Sequence, residues 1–159
     1  RMVVRFLHNL RVLQRVACPR IAAAAWSTFW NRWCTKRRFQ SSGRCWLGCG
    51  RQTAEDSLEH YFHCSALKEM ATKCLRIPPA LLGQPGTLLL TDSFQSDDEI
   101  HQVGLLIYGA YVTFNFQRSS LSSPPPTPPL EFFRCAVQHA STARSNSSSR
   151  IGGKRPAPG

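Results

Sequence analysis

Arg44-Cys45-Trp46-Leu47-Gly48-Cys49-Gly50 is followed, after a short gap, by Asp56-Ser57-Leu58-Glu59-His60-Tyr61-Phe62-His63-Cys64. Together these stretches hold three of the chain's seven cysteines. Three residues separate Cys45 from Cys49, ten follow before His60, and three more lie before Cys64. A zinc ion takes four soft or borderline donors in a tetrahedron. A short turn with Gly48 inside it and Gly50 behind it lets two thiolates converge. Residues four apart on a helix share a face, which puts His60 and Cys64 one turn apart. His63 adjoins Cys64 and would point about 100° away, so Cys45, Cys49, His60 and Cys64 are the expected donors. Three thiolates and a neutral imidazole around a divalent ion leave a net charge of about −1, which Arg44 and Arg51 beside the turn would balance. No position is left open for substrate, so such a site is structural. The odd number of cysteines, with no signal-peptide pattern, argues against a secreted disulfide framework.

Outward from this cluster the chain reads as helical. Residues 1–18 place Val3, Phe6, Leu7, Leu10, Leu13 and Ala17 on one face, with Arg1, Arg5, His8, Arg11 and Arg15 opposite. Pro19 stops that helix or starts the next. Residues 20–38 read as a second helix, with Trp26, Phe29, Trp30 and Trp33 in a stripe expected to be core and not a base-stacking surface. Lys36, Arg37 and Arg38 suit its negative end. Residues 53–76 read as a third helix, capped by Thr53 with Asp56 as reciprocal partner. Residues 80–95 read as a loop. Residues 97–118 read as a fourth helix, capped by Ser96 and Glu99, with Ile100, Val103, Ile107, Ala110, Tyr111 and Phe114 in one stripe. Gly104 and Gly109 cost that helix about 1 kcal/mol each relative to alanine, or mark close packing. From residue 119 Ser, Pro, Gly and Thr dominate, the Pro124–Pro129 tract should be extended, and an apolar island at 130–137 suits a transient helix.

The expected organisation is a basic helical segment at 1–44, a zinc-binding motif and helix at 45–76, a loop and C-terminal helix at 77–118, and a disordered tail at 119–159. The fold class is mainly α: a small zinc-stabilised domain of about four helices with a Pro/Ser-rich tail.

The 159 residues carry a net charge of +11, unevenly spread. Residues 1–44 hold ten basic side chains and no acidic one. Such a block reads as a footprint for a polyanion, with phosphate contacts expected from Arg5, Arg11, Arg15, Lys36, Arg37, Arg38 and Arg44. An Arg-rich, acid-free start also suits a mitochondrial presequence, but three tryptophans leading into a cysteine cluster do not. The start at Arg1-Met2 suits a piece of a longer reading frame. No run approaches the roughly 18–20 apolar residues of a membrane span. His8, His101 and His139 are scattered, and neither a paired nucleophile and base nor a Gly-rich phosphate loop is present, so no catalysis and no small-molecule substrate are expected.

The two stretches within residues 44–64 resemble the zinc-binding region that follows the reverse transcriptase domain in non-LTR retrotransposons, dinoflagellate-type elements in particular. That family shows two cysteines, an acidic-Ser/Thr-Leu-Glu-His segment and a final cysteine. The three-residue gap from His60 to Cys64 departs from the four that many members have. The resemblance implies a module that assists template RNA or target DNA binding, partnered by the polymerase domain of a parent RNA-directed DNA polymerase, in nucleus or cytoplasm. The polymerase's own aromatic-x-Asp-Asp box is absent: Asp97-Asp98 follows Gln95-Ser96. A protein-interaction module using the proline-rich tail is the alternative.

Overall fold

The computed structural model describes residues 1–40, 43–50, 55–119 and 127–148, with side chains in the last stretch through 142. Among these the chain is helical and has no strand; one isolated antiparallel bridge joins Arg44 to Glu55. The helices are α1 (Met2–Val16), α2 (Pro19–Phe29), α3 (Leu58–His63), α4 (Ser65–Met70), α5 (Pro85–Leu88), α6 (Asp97–Ser119) and α7 (Pro129–Ser148). No described helix is long and apolar enough to cross a membrane.

The architecture is organised around α6. Its buried residues include Ile100, Val103, Leu105, Leu106, Ile107, Ala110 and Phe114, which occupy more than the single stripe the sequence suggested. A helix apolar on most sides is one that is covered on most sides, and α1, α2 and α7 all pack against it. Its start matches expectation: the amide of Glu99 donates to the Ser96 hydroxyl at 3.2 Å, and the Glu99 carboxylate reaches back to the amide of Gln95. The glycines mark close approach. A side chain on Gly104 would strike Leu13 and Ile21, and one on Gly109 would strike Phe133 and Val137. We expect Gly109→Leu to destabilise the protein by about 1–3 kcal/mol through overpacking. Urea unfolding reads this directly; an unchanged midpoint would mean that α7 is not seated there.

Three helices differ from expectation. The second ends at Phe29, not at residue 38. The chain then turns through Asn31 in the left-handed region (φ 48°), with the amide of Arg32 donating to Ser27 O at 2.8 Å. The break takes Trp33 into the core, as expected, but Trp26 and Trp30 of the same stripe stay exposed, against the expectation that the whole stripe is core. The Trp33 ring lies 5.0 Å from Phe114, 5.2 Å from Tyr61 and 5.8 Å from Tyr111, and its indole N–H donates to Thr28 at 2.9 Å. The helix expected over 53–76 starts at Leu58 and is split at Cys64, whose ψ of 122° is extended; a π-helical turn (Ala71–Leu75) ends it. Its cap is Ser57, whose hydroxyl accepts from the amide of His60 at 3.1 Å; Thr53 lies outside the described residues.

The tail is the third difference. The apolar island at 130–137 belongs to the longer helix α7, which docks on α6 through Phe133, Val137 and Ala140, all buried. Spacings of four and three put these residues on one face, and Gly109 gives that face room. Pro124–Pro126 and residues 149–159 lie outside the described residues.

Candidate metal centre

Cys45 and Cys49 sit in a knuckle between α2 and α3. Its turn closes with the amide of Gly48 on Cys45 O at 3.4 Å, and Gly48 and Gly50 both have positive φ (73° and 70°). L-residues with a Cβ adopt that region only at a cost, so Gly48 is what lets the chain double back between the thiols, and Gly50 takes the same conformation just after Cys49. His60 comes from the first turn of α3. Cys64 is the residue at which α3 ends and from which α4 departs. The expectation that a continuous helix delivers both His60 and Cys64 is therefore corrected: the helix delivers the imidazole, and its interruption delivers the thiol.

The four donor atoms all lie within 4.8 Å of one another and could hold a metal ion. Cys45 Sγ is 3.7 Å from Cys64 Sγ, and Cys49 Sγ is 3.6 Å from His60 Nε2. A tetrahedral zinc with ordinary bond lengths would set these separations at about 3.8 and 3.6 Å. These two separations match the ion, the four atoms are close enough together to converge on one, and the donor types suit it. His63 is exposed and outside the cluster.

The surroundings suit anionic sulfur. The backbone amides of Leu47 and Cys49 act to lower the Cys45 thiol, and those of Ala66 and Leu67 to lower the Cys64 thiol. The Cys45 and Cys64 sulfurs form one hydrogen bond, in which either could be the donor. The hydrogen bond to Cys64, together with burial, pushes Cys45 up; the hydrogen bond from Cys45 holds Cys64 below the ordinary cysteine value. Arg44 is exposed at the edge of the knuckle, while Arg51 lies outside the described residues.

One residue that sequence reasoning misassigned is central. Asp56, expected to cap a helix, is fully buried and ties the site together. Its carboxylate accepts from the amide of Lys36 (2.8 Å), the indole N–H of Trp46 (3.1 Å) and the hydroxyl of Tyr61 (2.6 Å). Its backbone adds two links, with its amide on Gly43 O and its carbonyl accepting from Arg37. One side chain therefore joins the segment after α2, the knuckle and α3. Burial and the Asp56 hydrogen bond push the Tyr61 phenol above its ordinary range, so it stays a donor. No local signal separates such a carboxylate from a capping one. Tyr61 in turn packs on Trp33 and Phe114, which seats the centre on α6.

No family model, curated protein or solved structure matches this chain.

The basic residues singled out from the sequence are spread over three elements. Arg5, Arg11 and Arg15 lie along α1, Lys36 to Arg38 in the turn after α2, and Arg44 at the knuckle. All are exposed except Lys36, which is half-buried with its ammonium 5.9 Å from the Trp46 ring centre. Arg15 faces Asp97 at 3.8 Å and Arg37 faces Glu55 at 3.0 Å. Two arginines of the acid-free segment thus face carboxylates from later in the chain.

Proposed function

We propose that this chain is a structural-zinc, nucleic-acid-binding module. We take it to derive from a non-LTR retrotransposon reverse transcriptase and to bind template RNA or target DNA. The observation that carries the reading is a juxtaposition: a Cys3His cluster, its four donor atoms within 4.8 Å of one another, directly follows a segment of ten basic and no acidic residues. Three thiolates and an imidazole favour zinc over the hard cations, which prefer oxygen. Because side chains supply all four donors, the ion's contribution is to folding. The fit of residues 44–64 to the family pattern supports the origin.

Phosphate contacts come from Arg5, Arg11, Arg38 and Arg44, with Arg15 and Arg37 joining by exchanging their carboxylate partners. Those ion pairs are exposed, where such pairs are worth about 0–1 kcal/mol, so a phosphate competes easily. Lys36, held against Trp46, contributes less. Binding is mostly indifferent to sequence and falls with salt, at a log–log slope of about −3 to −5 for four to six phosphates. Fluorescence anisotropy with labelled RNA and single-stranded DNA across a salt series measures it. A zinc-loaded chain that binds neither at low salt ends this reading.

A further inference from the structure

The aromatic stripe that begins on α2 divides in the folded protein. Trp33 is buried and Phe29 stacks on Phe6 at 3.8 Å, but Trp26 and Trp30 stay 40% and 54% exposed. Their rings lie 5.8 Å apart at 61°. Both are braced from beneath: Trp26 by Phe6 at 5.9 Å, and Trp30 by Phe29 at 5.3 Å, edge to face. Two large indoles are therefore held at the surface by a rigid aromatic floor.

Cationic groups stand beside them. Trp26 and Arg32 line the same open groove of about 490 Å³ along α1 and α2. The guanidinium of Arg38 donates to the carbonyl of Asn31, the residue after Trp30, at 2.9 Å. An apolar face alone would suit a protein partner. Arginines placed with the indoles, in a segment that has no carboxylate of its own, complement a polyanion instead.

We propose that the C-terminal end of α2 is a base-stacking platform for single-stranded nucleic acid, with Trp26 and Trp30 receiving unpaired bases and Arg32 and Arg38 the adjoining phosphates. The inference rests on the nucleic-acid reading above and narrows its ligand to single strands. Every base has a π-face, so aromatic stacking is tolerant of sequence. In a duplex those faces are already stacked inside, and only phosphates remain to be bound.

The test uses the full, zinc-loaded chain with fluorescein-labelled oligo-dT, oligo-U and a duplex of equal length. The double variant Trp26→Ala/Trp30→Ala changes exposed side chains and should keep the wild-type circular dichroism. It is expected to bind both single strands about tenfold or more weakly, with duplex binding within about twofold and the salt slope unchanged. Trp26→Phe/Trp30→Phe should retain most of the affinity, whereas Arg32→Gln/Arg38→Gln should make the slope shallower. Single-strand binding equal to wild type in the alanine variant overturns the platform and leaves the broader function standing. Equal losses for single strand and duplex overturn it too. So does an alanine variant that only dissolves a dimer of this chain, which would assign the surface to a second copy. Failure of the wild-type chain to bind any of the three probes ends both readings.

Discussion

Cys49→Ser is expected to lose its metal: native mass spectrometry should find one zinc ion per wild-type chain and none on the variant. Cys49 is half-buried, so serine there leaves little cavity and the loss reports on coordination. Even residues that only orient a ligand commonly cost about 10–100-fold in metal affinity when changed. A direct donor should cost more than about a hundredfold. Chelation of the wild-type protein should have a related structural effect. The knuckle has no regular secondary structure, and among the described residues its backbone ties are few: the Arg44–Glu55 bridge with the amide of Asp56 on Gly43 O, the turn at Gly48, and the amide of Trp46 on the Tyr61 hydroxyl. Metal binding in such a segment is also folding free energy, about 10 kcal/mol or more in isolated zinc-finger peptides. Hydrogen exchange should therefore speed up first across residues 43–64, while α6 stays protected by α1, α2 and α7. Acid should act in the same direction as chelator, because protons compete with the ion for three sulfurs and an imidazole. Equal metal content in wild type and variant, or unchanged exchange after exhaustive chelation, would count against the site.

The second large effect is expected from Asp56→Ala. The substitution strands three donors: the Lys36 amide, the Trp46 indole and the Tyr61 hydroxyl. A buried donor left unsatisfied costs about 1–3 kcal/mol, so stranding three of them should cost about 3 kcal/mol or more in all. Asp56→Asn should cost less. Its amide oxygen can face Lys36 and Trp46, and its NH2 can donate to a Tyr61 hydroxyl that turns to accept. Urea unfolding of the zinc-loaded proteins separates the two variants. Both should bind zinc more weakly, because Asp56 positions the knuckle against α3. A stability within about 1 kcal/mol of wild type for Asp56→Ala would show that the network contributes little.

Much of this protein could be read from local pattern. The apolar period of α1 and the Ser96–Glu99 cap of α6 repeat a spacing that helical geometry imposes on neighbours, and both helices appear within a residue or two of expectation. The face α1 buries, however, is Phe6, Asn9, Leu10, Val12 and Leu13, with Val3 and Leu7 left exposed. Gly104 and Gly109 were ambiguous between cost and close packing; Leu13, Ile21, Phe133 and Val137 resolve them as close packing. The donors were legible for the same local reason. Cys45 and Cys49 meet across a turn of a few residues, and His60 and Cys64 lie one turn apart even though the helix stops between them.

What could not be read depended on partners far away in the chain. Nothing within a few residues of Phe29 says that α2 must stop there. The reason lies in Tyr61, Tyr111 and Phe114, which form the pocket that draws Trp33 inward and leaves Trp26 and Trp30 at the surface. Asp56 looked like a cap because its role needs donors from Lys36 and Trp46, on other segments. α7 looked transient because the surface that covers Phe133 belongs to α6. Backbone periodicity and ligand spacing are short-range and survive in one dimension. Burial is a property of which segments meet, and each of these three segments changed its role when a distant one arrived against it.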